Sequence, residues 1–486
     1  MIQMRYVMCG LLFLTALVTD LTRSDINIAI VSMSEPIHDE TSFDVCPQSP
    51  QYEEEQELFD TGNYTLGPEH HEIPIQFHRR RYEWDQEVQG FILGSFFWAY
   101  AMMHIPGGII AQKFGGKHVV CLSIISSCII SLITPFITDF HVIVLILSRI
   151  ALGLLQGGFY PAAFGMLCNW IPLHEKSFAF AILDSGSNIG SVINFYASGF
   201  ITIEFGWTML FFMPGVVSGI VWILVFCMTT STPRQSRFIS EAELNYIESD
   251  LKTNVIPLNP NRKTPWKKIL TNKAVLAAGA LKFSIGWNFS FFYMEMPKYL
   301  NEIIHEDIRS NGKINSVINL LNGVMLILTG LLSEKLIECG WLERTTCRKI
   351  FALFSGLIYG CCMLLIPAAG CDDFKLKCIL FTCATLAGFA GGSDLPLASE
   401  MSQNYPSTLY AVCNLIAMAA GCMVPVYTGI ILSDLHDQWL GWCIVFYTSA
   451  IISFISFTIF LFCASAERQD FDFPEDETKI VDKNKS

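Results

Sequence analysis

The chain has 486 residues, of which 52% are hydrophobic and 15% are charged, and its mean hydropathy is +0.43. An ordinary soluble domain carries about 25% charged residues, so this composition excludes a string of soluble domains and a disordered chain. It indicates an integral membrane protein. The formal net charge of −13 argues against a nucleic-acid partner.

Twelve apolar runs in the chain are long enough to span a bilayer, which takes about 20 mostly apolar residues in a helix. The first run is too long, and too polar near its far end, for a cleaved signal peptide, so we interpret it as an uncleaved signal anchor. The predicted spans are residues 6–33, 86–110, 119–138, 142–171, 178–202, 207–229, 274–297, 314–333, 350–369, 378–397, 408–433 and 440–463.

The charges of the loops predict the orientation of the chain. The first loop, residues 34–85, holds three arginines among many acidic residues, whereas the linker, residues 231–273, holds eight basic and four acidic residues. Because basic loops stay in the cytosol, we place the linker and both termini there and the first loop in the lumen or outside the cell. The sequon at Asn63 is then a glycosylation site. A disulfide between Cys46 and Cys371 stays one alternative for these two non-cytosolic cysteines.

The linker divides the chain into two sets of six spans that show a faint repeat. Gly206-Trp207 opens span six and Gly441-Trp442 opens span twelve, and aromatic residues follow in both. This pattern is typical of a transporter built from two related halves, although aromatic residues at helix ends also recur by chance. We therefore predict an all-α membrane protein with two six-helix bundles. The predicted parts are a first bundle at 1–230, the linker at 231–273, a second bundle at 274–463 and a disordered tail at 464–486.

Charged residues inside the predicted spans are the best functional candidates, because a charge at the centre of a membrane helix costs about 2.5–3.5 kcal/mol on insertion scales. Arg23 in span one and Arg149 in span four are expected at similar depth. Guanidinium groups suit bidentate binding of a carboxylate or phosphate, so the two predict a cationic clamp for an anionic substrate. The alternative for Arg23 is simple neutralisation by Asp20 or Asp25, which are close in sequence.

Acidic residues in the spans are candidates for carrying a coupling proton. Asp184 in span five and Asp394 in span ten would do so if burial favoured their neutral forms, and the alternative is that they cap, pair or face water. Glu295 and Lys298, at the outer end of span seven, predict a local ion pair. Glycines such as Gly153 and Gly186 indicate close helix packing.

The chain carries no sign of an enzyme or of a cofactor. There is no Walker loop, no H-E-x-x-H helix and no set of cysteines and histidines with metal-ligand spacing. Transport would therefore run on gradients or passively, with no cofactor.

The loop after span two, Gly108-Ile-Ile-Ala-Gln-Lys113-Phe-Gly115-Gly116-Lys117, resembles the loop motif of the major facilitator superfamily. The span-two residues resemble the anion/cation symporter family, which includes sialin, the vesicular glutamate transporters and the sodium–phosphate cotransporters. The matching residues are Trp84-Asp85, Glu87, Gly90, Gly94-Ser95-Phe96-Phe97, Ile105-Pro106-Gly107-Gly108, Arg23 with Ala29-Ile30-Val31, Arg149 with Gly153 and Gly157, Trp170, Trp287, Phe289 and Asn414.

The resemblance implies a two-bundle helical fold with alternating access and a small organic anion or phosphate as substrate. Coupling would be to protons, sodium or the membrane potential. Arg23 and Arg149 fall on family arginines implicated in substrate binding and gating. Trp287 and Asn414 match the family pattern in the second half, and we list them as further substrate-binding candidates.

The chain also departs from the family. Proton-coupled members carry acids in span four where this chain has Leu152 and Gln156, and Asp25, Asp184 and Asp394 stand where neutral residues are usual. The other departures are Leu93 for a span-two histidine, Ile285 for a span-seven arginine, and Ala398 and Glu400 in span ten. These departures argue against glutamate as the substrate and leave H⁺ coupling, Na⁺ coupling and uncoupled transport open.

The sequence thus predicts a carrier of a small anion in the plasma membrane or in an endolysosomal or vesicular membrane. Two other hypotheses stay open. A non-transporting receptor or scaffold on a transporter fold would explain the missing acids of span four. A cation-coupled carrier for a non-anionic solute would use Asp25, Asp184 and Asp394.

Overall fold

The computed structural model describes residues 3–34, 81–172, 176–254, 265–394, 396–402, 406–435 and 437–472. These residues form helices and no strand, with a single isolated bridge between Ser34 and Tyr82. The predicted all-α class is confirmed.

Nineteen α-helices follow one another in the described parts of the chain. Two π-helical segments, Phe291–Glu295 and Leu353–Ile358, continue the helices that precede them. The helices are α1 Met4–Met33, α2 Gln86–Phe114, α3 Gly116–Thr138, α4 Val142–Gln156, α5 Phe159–Trp170, α6 Lys176–Phe205, α7 Met209–Met228, α8 Glu241–Asn254, α9 Trp266–Leu270, α10 Lys273–Ser290, α11 Met296–Glu302, α12 Ile308–Glu338, α13 Arg344–Ala352, α14 Tyr359–Ala369, α15 Asp373–Ala387, α16 Ala390–Ser393, α17 Leu397–Met401, α18 Pro406–Asp434 and α19 Gln438–Cys463.

Eleven of the twelve predicted spans fall in helices, or runs of consecutive helices, that are long and apolar enough to cross a membrane, as judged over the described residues. The remaining prediction, 178–202, lies in the 30-residue helix α6. That helix is less apolar because it carries serines and asparagines along its length, including Ser187, Ser191 and Asn194. Predicted span 142–171 is two helices, since α4 ends at Gln156 and α5 begins at Phe159.

Contacts between Cα atoms group the chain into two units. Unit 1 comprises Met1–Ile256, Phe292–Leu320 and Pro425–Gly441, and unit 2 comprises Pro257–Phe291, Leu321–Val424 and Trp442–Ser486. Unit 1 therefore contains one end each of α12 and α18 and the whole of α11. We call the end of unit 1 at which α1 ends and α2 begins the first-loop side. The division at 230 and 274 stays a prediction.

Unit 1 is held together by close approaches of glycines to the backbone of a neighbouring helix. A Cβ atom on Gly186 of α6 would lie 2.5 Å from the Phe13 carbonyl oxygen of α1, and one on Gly153 of α4 would lie 2.2 Å from the Phe96 carbonyl oxygen of α2. Only a residue without a side chain fits such spacing. These contacts fix α6 beside α1 and α4 beside α2, and so determine which polar side chains meet.

In unit 2, the buried guanidinium of Arg348 in α13 links several helices. This group donates hydrogen bonds to Glu334 of α12 at 2.6 Å, to Glu400 of α17 at 2.7 and 3.0 Å, and to the Gly392 carbonyl oxygen at 3.0 Å. The chain after α19 also packs on unit 2, because Asp472 accepts a hydrogen bond from the Ser402 hydroxyl at 2.5 Å. Residues up to 472 of the predicted tail are thereby held in place.

Replacing Gly153 by valine is expected to lower the thermal stability of the purified protein. The new side chain must displace the Phe96 backbone, and overpacking of this kind costs about 1–3 kcal/mol. Gly165→Ala is the matched control, since no atom lies within 4 Å of a Cβ at that helical position. We expect Gly165→Ala to be neutral or stabilising in a thermal unfolding assay. An equal loss of stability in both variants would contradict the packing argument.

Candidate functional site

The acidic residue Asp20 and the basic residue Arg23 lie one turn apart on α1 and form an ion pair. The Asp20 carboxylate also accepts hydrogen bonds from two serines of α6, Ser187 at 2.9 Å and Ser191 at 2.5 Å. The Tyr293 hydroxyl donates to the same carboxylate at 3.4 Å, and its ring lies 5.9 Å from the Arg23 guanidinium carbon. The alternative expected from the sequence, neutralisation of Arg23 by Asp20, is therefore present in the structure.

Arg149 of α4 pairs with the second acid of α1. Its Nη1 lies 3.5 Å from Oδ1 of Asp25, and the side chains are 2% and 0% exposed. Its Nη2 donates a hydrogen bond to the backbone oxygen of Arg23 at 2.8 Å. The two arginines predicted from the sequence are thus brought together in unit 1. The sequence did not identify Asp25 as the partner of Arg149, because the helical pattern of one span does not say which helix it faces.

The four charged groups on α1 and α4 balance one another but leave hydrogen-bonding capacity unused. Among the described residues, no acceptor contacts Nε of Arg23 or Nε of Arg149, although both atoms are buried. Oδ2 of Asp25 likewise receives no hydrogen bond from them, and Oδ1 accepts one from the backbone N–H of Ile26 at 2.7 Å. Unused donors on a buried guanidinium fit an anionic ligand.

A small cavity of about 10 Å³ adjoins Arg23. A cavity of that size has room for about one water molecule. Its lining residues are Thr19, Asp20, Arg23, Tyr100, Gln156, Phe159, Tyr160 and Ser187. The Gln156 amide donates to Thr22 at 3.1 Å and to Ser127 at 2.7 Å. In unit 1, Asp20 and Arg23 therefore adjoin a cavity that is large enough for water.

Unit 2 contains a buried ion pair that the sequence analysis missed in part. Lys282 of α10 contacts Asp394 at the end of α16, and its ammonium lies 5.5 Å from the centre of the Tyr410 ring. Asp394 was a candidate for coupling, but Lys282 was overlooked. A single lysine within the apolar run 274–297 was the signal that could have revealed it, since a lone cation in a membrane helix requires a partner.

The remaining sequence candidates have different surroundings. Trp287 is buried in unit 2 and donates to the Ser449 hydroxyl at 3.0 Å, whereas Asn414 is half-buried. Asp184 is exposed. Asn63 and Cys46 lie outside the described residues. Cys371 is in a disulfide bond, and the 15 other cysteines among the described residues are free thiols.

No group of three or more histidine, cysteine, aspartate or glutamate side chains that could hold a metal ion occurs in the described parts of the chain. Within unit 1, Asp20 pairs with Arg23 and Asp25 with Arg149, and within unit 2, Lys282 pairs with Asp394.

Comparisons with known proteins show what this chain is similar to. A family model described as the Major Facilitator Superfamily matches residues 12–425. Sialin of Homo sapiens is 32% identical over 410 residues, which cover 82% of this chain and 81% of that protein. Vesicular glutamate transporter 3 of Danio rerio is 28% identical over 400 residues, covering 81% and 67%. The crystal structure of a D-xylose-proton symporter has a TM-score of 0.61 at 12% identity and covers 95% of this chain and 99% of that one, which shows a shared fold.

Removing one member of the Lys282–Asp394 pair is expected to destabilise the protein by about 3–5 kcal/mol, because the remaining charge stays buried without a counter-ion. Lys282→Met and Asp394→Asn test each side in a thermal unfolding assay. The double variant is expected to lose less than either single variant, since it buries no unpaired charge. Additive losses in the double variant would show that the two groups do not interact.

Proposed function

Because this chain belongs to the major facilitator superfamily, and within it to the anion/cation symporter family, we propose that it is a secondary transporter whose substrate is a small organic anion held by Arg149 and Arg23. The chain is a multi-pass membrane protein and not an enzyme, as its relatives are transporters. One relative is named for glutamate, itself an organic anion. Inorganic phosphate is a second candidate of the same charge.

The observation that carries the proposal is the incomplete pairing of Arg149. A fully satisfied buried arginine would serve packing alone, but this one has a 3.5 Å contact to its acid and a buried Nε without an acceptor among the described residues. A substrate carboxylate can accept a hydrogen bond from the free Nε, and from Nη1 once Asp25 no longer competes for it. The same anion would reach the free Nε of Arg23, because Arg149 is hydrogen-bonded to the backbone of that residue.

We propose the proton as the coupling ion and Asp25 as its carrier. An anion that approaches Arg149 must displace the negative charge of Asp25, and protonation of that carboxylate removes the competitor. Sodium is less suited to the position, because a second cation beside the Arg149 guanidinium is repelled. Asp184 is exposed and Asp394 is paired with Lys282, so neither is free to play this role in the same way.

The alternatives from the sequence receive less support. A carrier for a cationic solute needs an uncompensated buried acid, whereas Asp25 and Asp394 each have a basic partner and Asp184 is exposed. A receptor without transport activity gives no reason for arginines at positions 23 and 149 within apolar helices. We place the protein in an endolysosomal or vesicular membrane, with the basic linker and both termini in the cytosol. The name of the vesicular relative and the charges of the loops support this placement.

Uptake into proteoliposomes tests the substrate and the arginine together. A panel of labelled phosphate, sialic acid, glutamate, urate and a cationic control would be run with imposed pH, sodium and voltage gradients. Arg149→Ala is expected to lower uptake of the accepted anion at least tenfold, which corresponds to the loss of one charge-assisted hydrogen bond of about 1.5–3 kcal/mol. Arg309→Gln is the matched control, because Arg309 makes an exposed ion pair with Glu204 at 3.3 Å. Full uptake in Arg149→Ala, from protein inserted as well as the control, would refute the clamp.

Asp25→Asn tests the coupling. The amide is neutral at every pH, so uptake by this variant is expected to lose its dependence on an imposed proton gradient while Arg149 stays free to bind the anion. Counterflow exchange, which needs no net coupling, is expected to persist. Retention of the full gradient dependence would exclude Asp25 as the proton carrier and return the role to another acid.

A further inference from the structure

Glu295 lies at the end of the π-helical segment Phe291–Glu295, and its side chain is only 1% exposed. Neither carboxylate oxygen receives a hydrogen bond from any described residue. The ion pair with Lys298 expected from the sequence is present but long, with 3.9 Å between Nζ and Oε2. A buried carboxylate without a donor is unusual, because burial of an ionised group without hydrogen bonds is strongly unfavourable.

The ammonium of Lys298 is directed to another partner instead. It donates a hydrogen bond to Oε1 of Gln86 on α2 at 2.6 Å. The amide of Gln86 in turn donates to Oε1 of Glu302 at 2.8 Å. Lys298 and Glu302 are therefore linked through Gln86, and Glu295 is left outside this chain of hydrogen bonds.

The charges in this cluster do not balance when every acid is ionised. Glu295 and Glu302 supply two carboxylates, and Lys298 supplies one ammonium. Glu302 is half-buried and accepts the hydrogen bond from Gln86, whereas neither oxygen of Glu295 has a donor among the described residues. The excess negative charge falls on Glu295, the fully buried member. A single proton on Glu295 neutralises the cluster, whereas a metal cation there would be repelled by Lys298.

The cluster lies where the helices of unit 1 are pressed together on the first-loop side. A Cβ atom on Gly90 of α2 would lie 2.3 Å from the Pro425 carbonyl oxygen of α18, and one on Gly429 would lie 2.7 Å from the Gln86 carbonyl oxygen. Asn27 of α1 donates to the Tyr293 carbonyl oxygen at 3.0 Å, just before Glu295. These contacts hold α11 and α18 against α1 and α2. The helices must separate at these contacts if the first-loop side opens.

We propose that Glu295 is a proton-binding site that controls closure of the first-loop side. When α11 separates from α2, water reaches the Glu295 carboxylate and stabilises its charged form, so the proton leaves. When the helices close, the carboxylate must take up a proton again. Because proton binding and closure are linked, acid favours the closed arrangement and a rise in pH favours the open one. The site is separate from Arg149 and needs no substrate, so its test is independent of the anion proposed above.

Leu300 provides a reporter for closure, because its side chain is 1% exposed in this arrangement. The full-length Leu300→Cys protein, purified in detergent, would be labelled with a maleimide between pH 5.5 and 8. Labelling at residue 300 would be followed by peptide mass spectrometry. The exposed native Cys463 serves as an internal standard for the pH dependence of the thiol reaction. We expect the relative labelling rate to rise with pH by up to about tenfold per pH unit, the limit set by one linked proton.

Glu295→Gln in this background tests the site directly. The carboxamide is neutral at all pH values and resembles the protonated acid, so labelling is expected to stay slow from pH 5.5 to 8. Glu302→Gln, the same chemical change at the acid that already accepts a hydrogen bond, is expected to keep the rise with pH. Glu295→Leu repeats the test with an apolar side chain in case the carboxamide prevents folding, and it too is expected to label slowly without a pH dependence.

Two results would overturn the proposal. One is a normal rise of labelling with pH in either folded Glu295 variant, since no titrating group would then remain at position 295. The other is a labelling rate that no longer rises with pH in Glu302→Gln but still rises in Glu295→Leu. That result would identify Glu302 as the titrating group.

Discussion

The membrane part of this protein is organised by the requirement that a buried charge must have a partner. Among the described residues, ion pairs that meet it include Asp20 with Arg23, Asp25 with Arg149, Lys282 with Asp394 and Arg348 with Glu400. In each pair the desolvation of two groups is offset only while both are present and correctly placed. A substrate or proton that takes over one partner therefore changes the stability of the whole arrangement.

Helix α1 is the element on which the unit 1 charges depend. It supplies Asp20, Arg23 and Asp25, and its backbone is fixed to α6 by the close approach of Gly186 to Phe13. This contact places the two serines of α6 that bind Asp20, because Gly186 directly precedes Ser187 and Ser191 follows about one turn later. Arg149 reaches α1 from α4 and is anchored by the backbone oxygen of Arg23. Binding of an anion at Arg149 would accordingly change the contacts of α1 first, because Arg149 contacts Arg23 and Asp25 of that helix.

The sequence predicted where the helices of this fold lie better than it predicted which side chains contact one another. Hydropathy located the spans because each one is a continuous apolar run, and the loop motifs and the two arginines indicated the transporter family. It did not predict that α4 and α5 are separate helices, since Gly157 and Gly158 end the first without interrupting the apolar pattern. It also did not predict that Asp25 faces Arg149, because that pairing depends on which face of α1 packs on α4. Lys282 was overlooked within an apolar run although its charge was visible.

The expected ion pair between Glu295 and Lys298 also separates what the sequence predicts from what only the fold shows. Their spacing of three residues on a helix correctly brought the two side chains near each other. The competing partner, Gln86, lies 212 positions away in sequence, and only the fold reveals that it takes the ammonium. Local spacing determines which groups can meet, whereas tertiary packing determines which contact is made.

The glycines of α2 and α18 have a practical consequence for work on this protein. Gly90 and Gly429 leave no room for a side chain where α2 and α18 meet, so a bulky residue at either position would act as a wedge. A chain with such a wedge cannot adopt the arrangement seen here and would accumulate with its first-loop side apart. A single substitution would thereby yield a conformationally trapped sample for structure determination. It would also yield an antigen that presents surfaces hidden in the native closed form.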